Sequence, residues 1–232
     1  MIKAFLLALT LVASLAGTAV AGPFEDGKAA YDKSDYATAM RLWRPLADRG
    51  DAPLQSLLGA MYAEGQGVPQ DYAQAVSWYR KAADQGHANA QYNLGNQYYK
   101  GQGVPQDYAQ AVAWYRKAAD QGEANAQYNL GVMYANGQGV PQDYAQAVAW
   151  YRKAADQGDA GAQNNLGNQY YKGQGVPQDY IQAHMWSNLA ASRLTDPTNR
   201  ADAVKNRDVV AAKMTPAQIA EAQRLASAWK PK

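Results

Sequence analysis

Along most of the chain apolar residues recur at three- and four-residue intervals, and the pattern is interrupted at regular places. In DYAQAVAWYRKAADQG, which starts at Asp107, the residues Ala111, Trp114, Tyr115, Ala118 and Ala119 stand at i, i+3, i+4, i+7 and i+8. That is the single apolar stripe of an α-helix buried on one side. Asp107 suits the N-cap with Gln110 as its capping-box partner, Arg116 and Lys117 fall in the closing turns, and Gly122 suits the left-handed C′ position. A preceding helix over about 88–100 carries Ala90, Leu94, Gly95 and Tyr98 on one side and stops at Gly101. The linker Gly101-Gln102-Gly103-Val104-Pro105 permits positive φ and ends any helix arriving from upstream. The predicted unit is a helical hairpin.

The hairpin repeats. The 36 residues 66–101 agree with 102–137 at 30 positions, and those agree with 138–173 at 29, without a gap. Self-similarity at this period predicts an all-α solenoid of stacked antiparallel helix pairs. A further copy starts at Gln174 and decays after Tyr180, and a degenerate one precedes Gly65, where Asp35, Tyr36, Ala39, Ala47 and Gly50 anticipate Asp71, Tyr72, Ala75, Ala83 and Gly86. From Arg193 the pattern dissolves into two helices, Pro197 to about Lys213 and Pro216 to about Trp229, capped by Asp196 and Thr215, the latter boxed by Gln218. Ile219, Ala222, Leu225 and Ala226 form the inner face of the second. The expected organisation is a degenerate first repeat at 22–51, an array over 52–192 with repeats at about 52–87, 88–123, 124–159 and 160–192, and a capping pair at 193–232. Residues 1–21 precede the fold. Lys3, an apolar run from about Ala4 to Val12 and small residues ending in Ala19-Val20-Ala21 form a leader expected to be cleaved after Ala21. The apolar run falls short of the roughly 18–20 residues that a membrane span needs. The expected mature chain is soluble, monomeric and exported, periplasmic in a Gram-negative source and free of the membrane.

The pattern A-x-x-x-L-G-x-x-Y-x-x-G-x-G-V-x-x-D-Y-x-x-A-x-x-W-Y-x-K-A-A-x-x-G, read from Ala90 to Gly122, resembles the Sel-one-like repeat family, a branch of the tetratricopeptide-type solenoids. The likeness recurs from about Ala52 to Ala183. It implies a right-handed superhelix whose concave surface holds partner proteins, and it brings no shared catalytic residue. Some cysteine-rich secreted relatives are linked to penicillin binding and β-lactamase activity. This chain has no cysteine, so that inference does not transfer, and a peptidoglycan- or β-lactam-binding hydrolase stands only as the alternative function.

Composition sharpens this picture. One residue in five is Ala, with 47 in all, against 16 Val and Ile together; closely packed helices are favoured over sheet. The absence of cysteine excludes disulfides, thiolate metal sites and cysteine nucleophiles. The net charge of +2 hides an array at −3 over 22–192 and an end at +4 over 193–232. With no basic run, nucleic-acid binding is not expected. Catalytic constellations are weak. His87 sits at an inter-helix turn and reads as a solvated surface residue, while His184 replaces a valine and reads as packing. Ser227-Ala228-Trp229-Lys230 lacks the partner motifs of its class. The Gly-Gln-Gly loops lack a phosphate-binding lysine. Neither cofactor nor metal is expected, and the chain is read as non-enzymatic.

The copies differ chiefly in their first helix: Asn89/Asn125/Gly161, Tyr92/Tyr128/Asn164, Asn96/Val132/Asn168 and Tyr99/Ala135/Tyr171. At 100° per residue, 89, 92, 96 and 99 fall at about 60°, 0°, 40° and −20°, with Leu94 at about 200°. The variable stripe is therefore expected to face away from the core and to line the ligand surface of the solenoid. Its tyrosines and asparagines suit recognition, the first as rigid contacts with a polar tip, the second as paired donors and acceptors. A protein partner is expected on Asn89, Tyr92, Asn96, Tyr99, Asn125, Tyr128, Val132, Asn164, Asn168 and Tyr171. The ladder of Trp78, Trp114 and Trp150 with Tyr79, Tyr115 and Tyr151 shares the alanine stripe and is expected in the core.

Overall fold

The computed structural model describes residues 22–232; the expected leader lies outside them. Among the described residues the regular structure is twelve α-helices and no strand. Five antiparallel pairs run α1 (Pro23–Asp32) with α2 (Tyr36–Asp48), α3 (Ala52–Glu64) with α4 (Tyr72–Asp84), α5 (Ala88–Lys100) with α6 (Tyr108–Asp120), α7 (Ala124–Asn136) with α8 (Tyr144–Asp156), and α9 (Ala160–Lys172) with α10 (Tyr180–Arg193). Two more helices, α11 (Pro197–Ala211) and α12 (Pro216–Ala228), follow. Each helix packs on the one before and the one after it through α10, and α11 and α12 both pack on α10.

The boundaries are set locally. Asp107 and Asp143 each accept from the backbone N–H three residues on at 3.0 Å, occupying an otherwise orphaned donor. The full capping box forms at Thr215 with Gln218; at Asp107 only the forward bond of the expected box is made. Each first helix from α3 to α9 stops at a left-handed glycine, as at Gly101 with φ +70°. At the end of α6, Gly122 takes φ +93°. There the N–H groups of Gly122 and Glu123 donate to the carbonyls of Ala119 and Ala118 at 3.0 and 3.1 Å, a Schellman closure. His87 is not the solvated residue expected. It is half-buried and caps α5, its Nδ1 accepting from Ala90 N–H at 3.3 Å, the role that Glu123 and Asp159 play for α7 and α9. Burial lowers the pKa of His87. His184 is 3% exposed, packed as expected.

The expected core ladder is buried throughout. Each tryptophan joins the apolar cluster between the preceding second helix and its own first helix: Trp114 of α6 packs with Ala75, Tyr79 and Leu94, and Trp150 of α8 packs with Ala111, Tyr115 and Leu130. A lysine three residues on lies over each ring, Lys117 at 3.9 Å and Lys153 at 3.8 Å from the centroid, so the indole is desolvated on one side and meets a cation on the other. A glutamine ladder runs alongside. Buried Gln127 donates to the Ala119 carbonyl at 3.1 Å, and its own Oε1 accepts from Gln157 of the next second helix at 2.8 Å. Gln91 and Gln121 repeat the arrangement one copy earlier. Each rung adds a second donor to a carbonyl that the closing glycine's N–H already engages at the end of a helix.

The close approach of helices depends on two kinds of glycine. Gly59, Gly95 and Gly131 face the rings of Tyr79, Tyr115 and Tyr151, where a Cβ would come within 2.6–2.7 Å of ring carbons. The loop glycine Gly139 combines φ +70° with a site where a Cβ would overlap the Tyr108 carbonyl of the preceding repeat. By contrast Gly122 opens onto free space. Gly122→Ala is expected to cost about 1 kcal/mol, from positive φ alone. Gly139→Ala is expected to cost roughly 3 kcal/mol or more, because strain and overlap add. Urea unfolding of both variants checks this, and equal midpoints would contradict the packing account.

Candidate functional site

The first helices carry two adjoining clefts. One, of about 390 Å³, lies between α5 and α7 over Tyr115 of α6 and is lined by Tyr92, Asn96, Tyr99, Lys100, Tyr128, Asn129, Val132 and Met133. The other, of about 360 Å³, lies between α7 and α9 over Tyr151 of α8, and Val132, Asn136, Asn165, Asn168, Gln169 and Lys172 are among its lining residues. Tyr128 and Val132 belong to both, so the two form one continuous surface.

Their floor is built by the fold. The first helix and second helix of a pair close on a glycine, which sets the second-helix tyrosine beneath a first-helix tyrosine: Tyr92 and Tyr115 have ring centroids 6.0 Å apart, and Tyr128 and Tyr151 6.1 Å. These are tilted pairs within the range of favourable aromatic contact. The Tyr115 hydroxyl donates to Asn96 Oδ1 at 2.7 Å, and Asn129 Nδ2 reaches the same oxygen at 3.4 Å. Burial pushes the Tyr115 and Tyr151 hydroxyls to a high pKa, with neighbouring Tyr92 and Tyr128 adding to it. The phenols stay neutral donors at ordinary pH.

The stripe expected to face away from the core is instead largely tucked into the seams between pairs. Tyr92, Asn96, Tyr99, Tyr128, Val132, Asn164, Asn168 and Tyr171 are half-buried. The reason is stacking, since the neighbouring pair covers positions that one helix in isolation leaves open. Of the ten expected site residues, Tyr92, Asn96, Tyr99, Tyr128, Val132 and Asn168 line the clefts. Asn89 lies apart, facing α3 and accepting from Asn93 at 2.8 Å. Asn125 donates to Glu123 at 2.8 Å. Asn164 accepts from Asn206 of α11 at 3.1 Å, and Tyr171 packs on Tyr180 with centroids 6.0 Å apart. Lys100, Lys172, Asn129, Asn136 and Asn165 belong to the clefts but are absent from the sequence expectation. The signal for them was the one-turn spacing of Lys100 from Asn96 and of Lys172 from Asn168.

The weak catalytic motifs resolve into structural roles. The Ser227 hydroxyl donates to the Gln223 carbonyl at 2.9 Å. Among the described residues no group of three or more His, Asp or Glu side chains is placed to hold a metal ion.

A family model described as the Sel1 repeat matches residues 22–51, 52–87, 88–123, 124–159 and 160–193. Among solved structures, a Sel1 repeat protein from Oxalobacter formigenes is 31% identical with a TM-score of 0.74, covering 89% of this chain and 82% of that one. A protective antigen of uropathogenic Escherichia coli with an SLR fold is 32% identical with a TM-score of 0.72, covering 88% of this chain. This chain spans about half the length of that antigen, 52%. No curated protein matches the chain.

Two outcomes test the floor of the clefts. Asn96→Ala strips the buried Tyr115 hydroxyl of its acceptor and is expected to cost 1–3 kcal/mol, roughly the penalty for an orphaned buried donor. Asn89→Ala, at an exposed position, is expected to stay within about 0.5 kcal/mol in the same urea titration. The tyrosines predict an alkaline limit as well. Their folded-state pKa lies above that of the unfolded chain, near 10. Their contribution is thus complete below about pH 10 and is lost as pH rises beyond it. Tyrosinate absorbance should show late-titrating phenols while the urea midpoint falls between about pH 9.5 and 11.5; a constant midpoint across that range contradicts the assignment.

Proposed function

Since the chain belongs to the Sel1 repeat family, whose solenoids are generally protein–protein interaction scaffolds, we propose that it is a non-enzymatic adaptor holding a partner protein along its first helices. The observation that carries this reading is the pair of adjoining clefts that share Tyr128 and Val132. A surface continuous over successive repeats suits a polypeptide, because each repeat adds a similar subsite at a fixed step. Tyrosine contributes large rigid contact area at low entropic cost, and the asparagines contribute adaptable hydrogen bonds.

The compartment proposed is the periplasm, on the leader-like sequence of residues 1–21. No described helix is long and apolar enough to cross a membrane. Partners of the kind expected there are an envelope sensor, an assembly factor or a cell-wall enzyme.

The test places a photo-crosslinking amino acid at Val132, between the clefts, and captures contacts in the native periplasm. A discrete adduct is expected, reduced at least tenfold by Tyr92→Ala with Tyr128→Ala and much less by Tyr171→Ala, which lies outside both clefts. Circular dichroism verifies that helicity is retained. Adducts that survive the double substitution in a folded protein would overturn the reading.

A further inference from the structure

We propose that the occupant of the two clefts is an extended acidic segment of the partner, with carboxylates about six residues apart seated at Lys100 and Lys172. This rests on the reading of the clefts as a partner-binding surface and adds the chemistry of the ligand.

Charge is the first support. The linings contain Lys100 and Lys172 and no carboxylate. Both lysines are exposed, and neither ammonium has a hydrogen-bond or ion-pair partner among the described residues. Each stands one helical turn after an asparagine, Asn96 or Asn168, so amide and ammonium lie on one face of the helix. The middle helix has Asn136 at the equivalent place, and its stretch of the surface around Val132 carries no charge. The carboxylates of Glu123 and Asp159 cap α7 and α9 at the ends away from the lysines; Asp159 lies near Tyr128 and, after burial, adds to the rise of the Tyr128 pKa.

The free hydrogen-bonding atoms point the same way. Asn96 Oδ1 is already taken by Tyr115 and Asn129, which leaves its Nδ2 as the group available to a ligand. The site therefore offers donors at Asn96 and Lys100, and donors select carbonyls and carboxylates. In the second cleft Asn168 and Lys172 repeat the same pairing of amide and ammonium. A chain carrying carboxylates and carbonyls meets that demand, and an extended peptide is such a chain.

Geometry sets the spacing. The helices α5, α7 and α9 face one another across the clefts and are joined through α6 and α8, so two helix diameters of about 10–12 Å each set the lysine-bearing helices roughly 20–24 Å apart. At about 3.3 Å per residue, an extended strand covers that in about six or seven residues.

The experiment uses purified protein and fluorescein-labelled peptides of Ala, Ser and Leu bearing two Glu residues at separations from two to ten. Anisotropy is expected to show tightest binding at five to seven, at least tenfold above the Gln counterpart, and weakening as salt rises from about 50 to 300 mM. Lys100→Gln with Lys172→Gln should abolish the spacing preference while leaving the unfolding midpoint unchanged. A flat spacing profile, equal binding of the Gln peptides, or no binding by any peptide overturns the proposal. So does saturable binding of soluble peptidoglycan fragments with no response to glutamate. If the periplasmic crosslink at Val132 still forms in those cases, the scaffold reading survives and only the acidic occupant is lost; if neither appears, both fall.

Discussion

The structure depends on a flat contact between a tyrosine ring of one helix and a glycine of its partner. Tyr79, Tyr115 and Tyr151 lie on Gly59, Gly95 and Gly131 so closely that no Cβ would fit. Two of these rings, Tyr115 and Tyr151, are also the floors of the clefts. Tyr115 is 1% exposed, but its edge supports Tyr92 and its hydroxyl orients Asn96. Core and cleft floor are therefore two sides of one side chain, and changing either disturbs the other.

Repetition of this contact explains where the ladder stops. One period after Tyr151 the residue is Ser187, which packs against Gly167 and whose Oγ has no partner among the described residues. One period after Gln157 it is Arg193, whose guanidinium stacks over Trp229 at 4.1 Å, so Gln163 Oε1 loses the donor its predecessors enjoy. Two rungs fail in the same repeat. There α11 and α12 take over: α11 packs Ala203 against Ala190 and Ala191 while Asn206 donates to Asn164, and α12 brings Ala222 and Ala226 into the cluster of Trp186. The basic Lys232 reaches Asp156 at 2.9 Å. The apolar end that a further repeat would bury is covered by helices of different design.

The proposed surface gains its character from what the floor has already consumed. The Tyr115 hydroxyl bonds to Asn96 within its own pair and Asn129 of the next pair reaches the same oxygen, which fixes their orientation before any ligand arrives and lowers the cost of ordering them on binding. The two lysines at the edges are exposed and have no partner among the described residues, at positions where charge would steer encounter and set specificity more than affinity.

Helix ends, the 36-residue period and the core stripe were legible in the sequence because each rests on contacts within about four residues: an aspartate on the next turn's N–H, a glycine at positive φ, an alanine beside its i+4 neighbour. Thus α5 begins and ends where Ala88 and Gly101 place it. Other features were decided only by stacking. Helical angles put Asn89, Tyr92 and Asn96 on one open stripe, but the next pair half-buries Tyr92 and Asn96 and leaves Asn89 in a different groove. Likewise His87 is half-buried and Lys100 a wall of the cleft because α3 and α7 stand beside α5. The exposure of a residue on a solenoid belongs to the helix one period away, and the angle of a residue about its own axis carries no record of that neighbour.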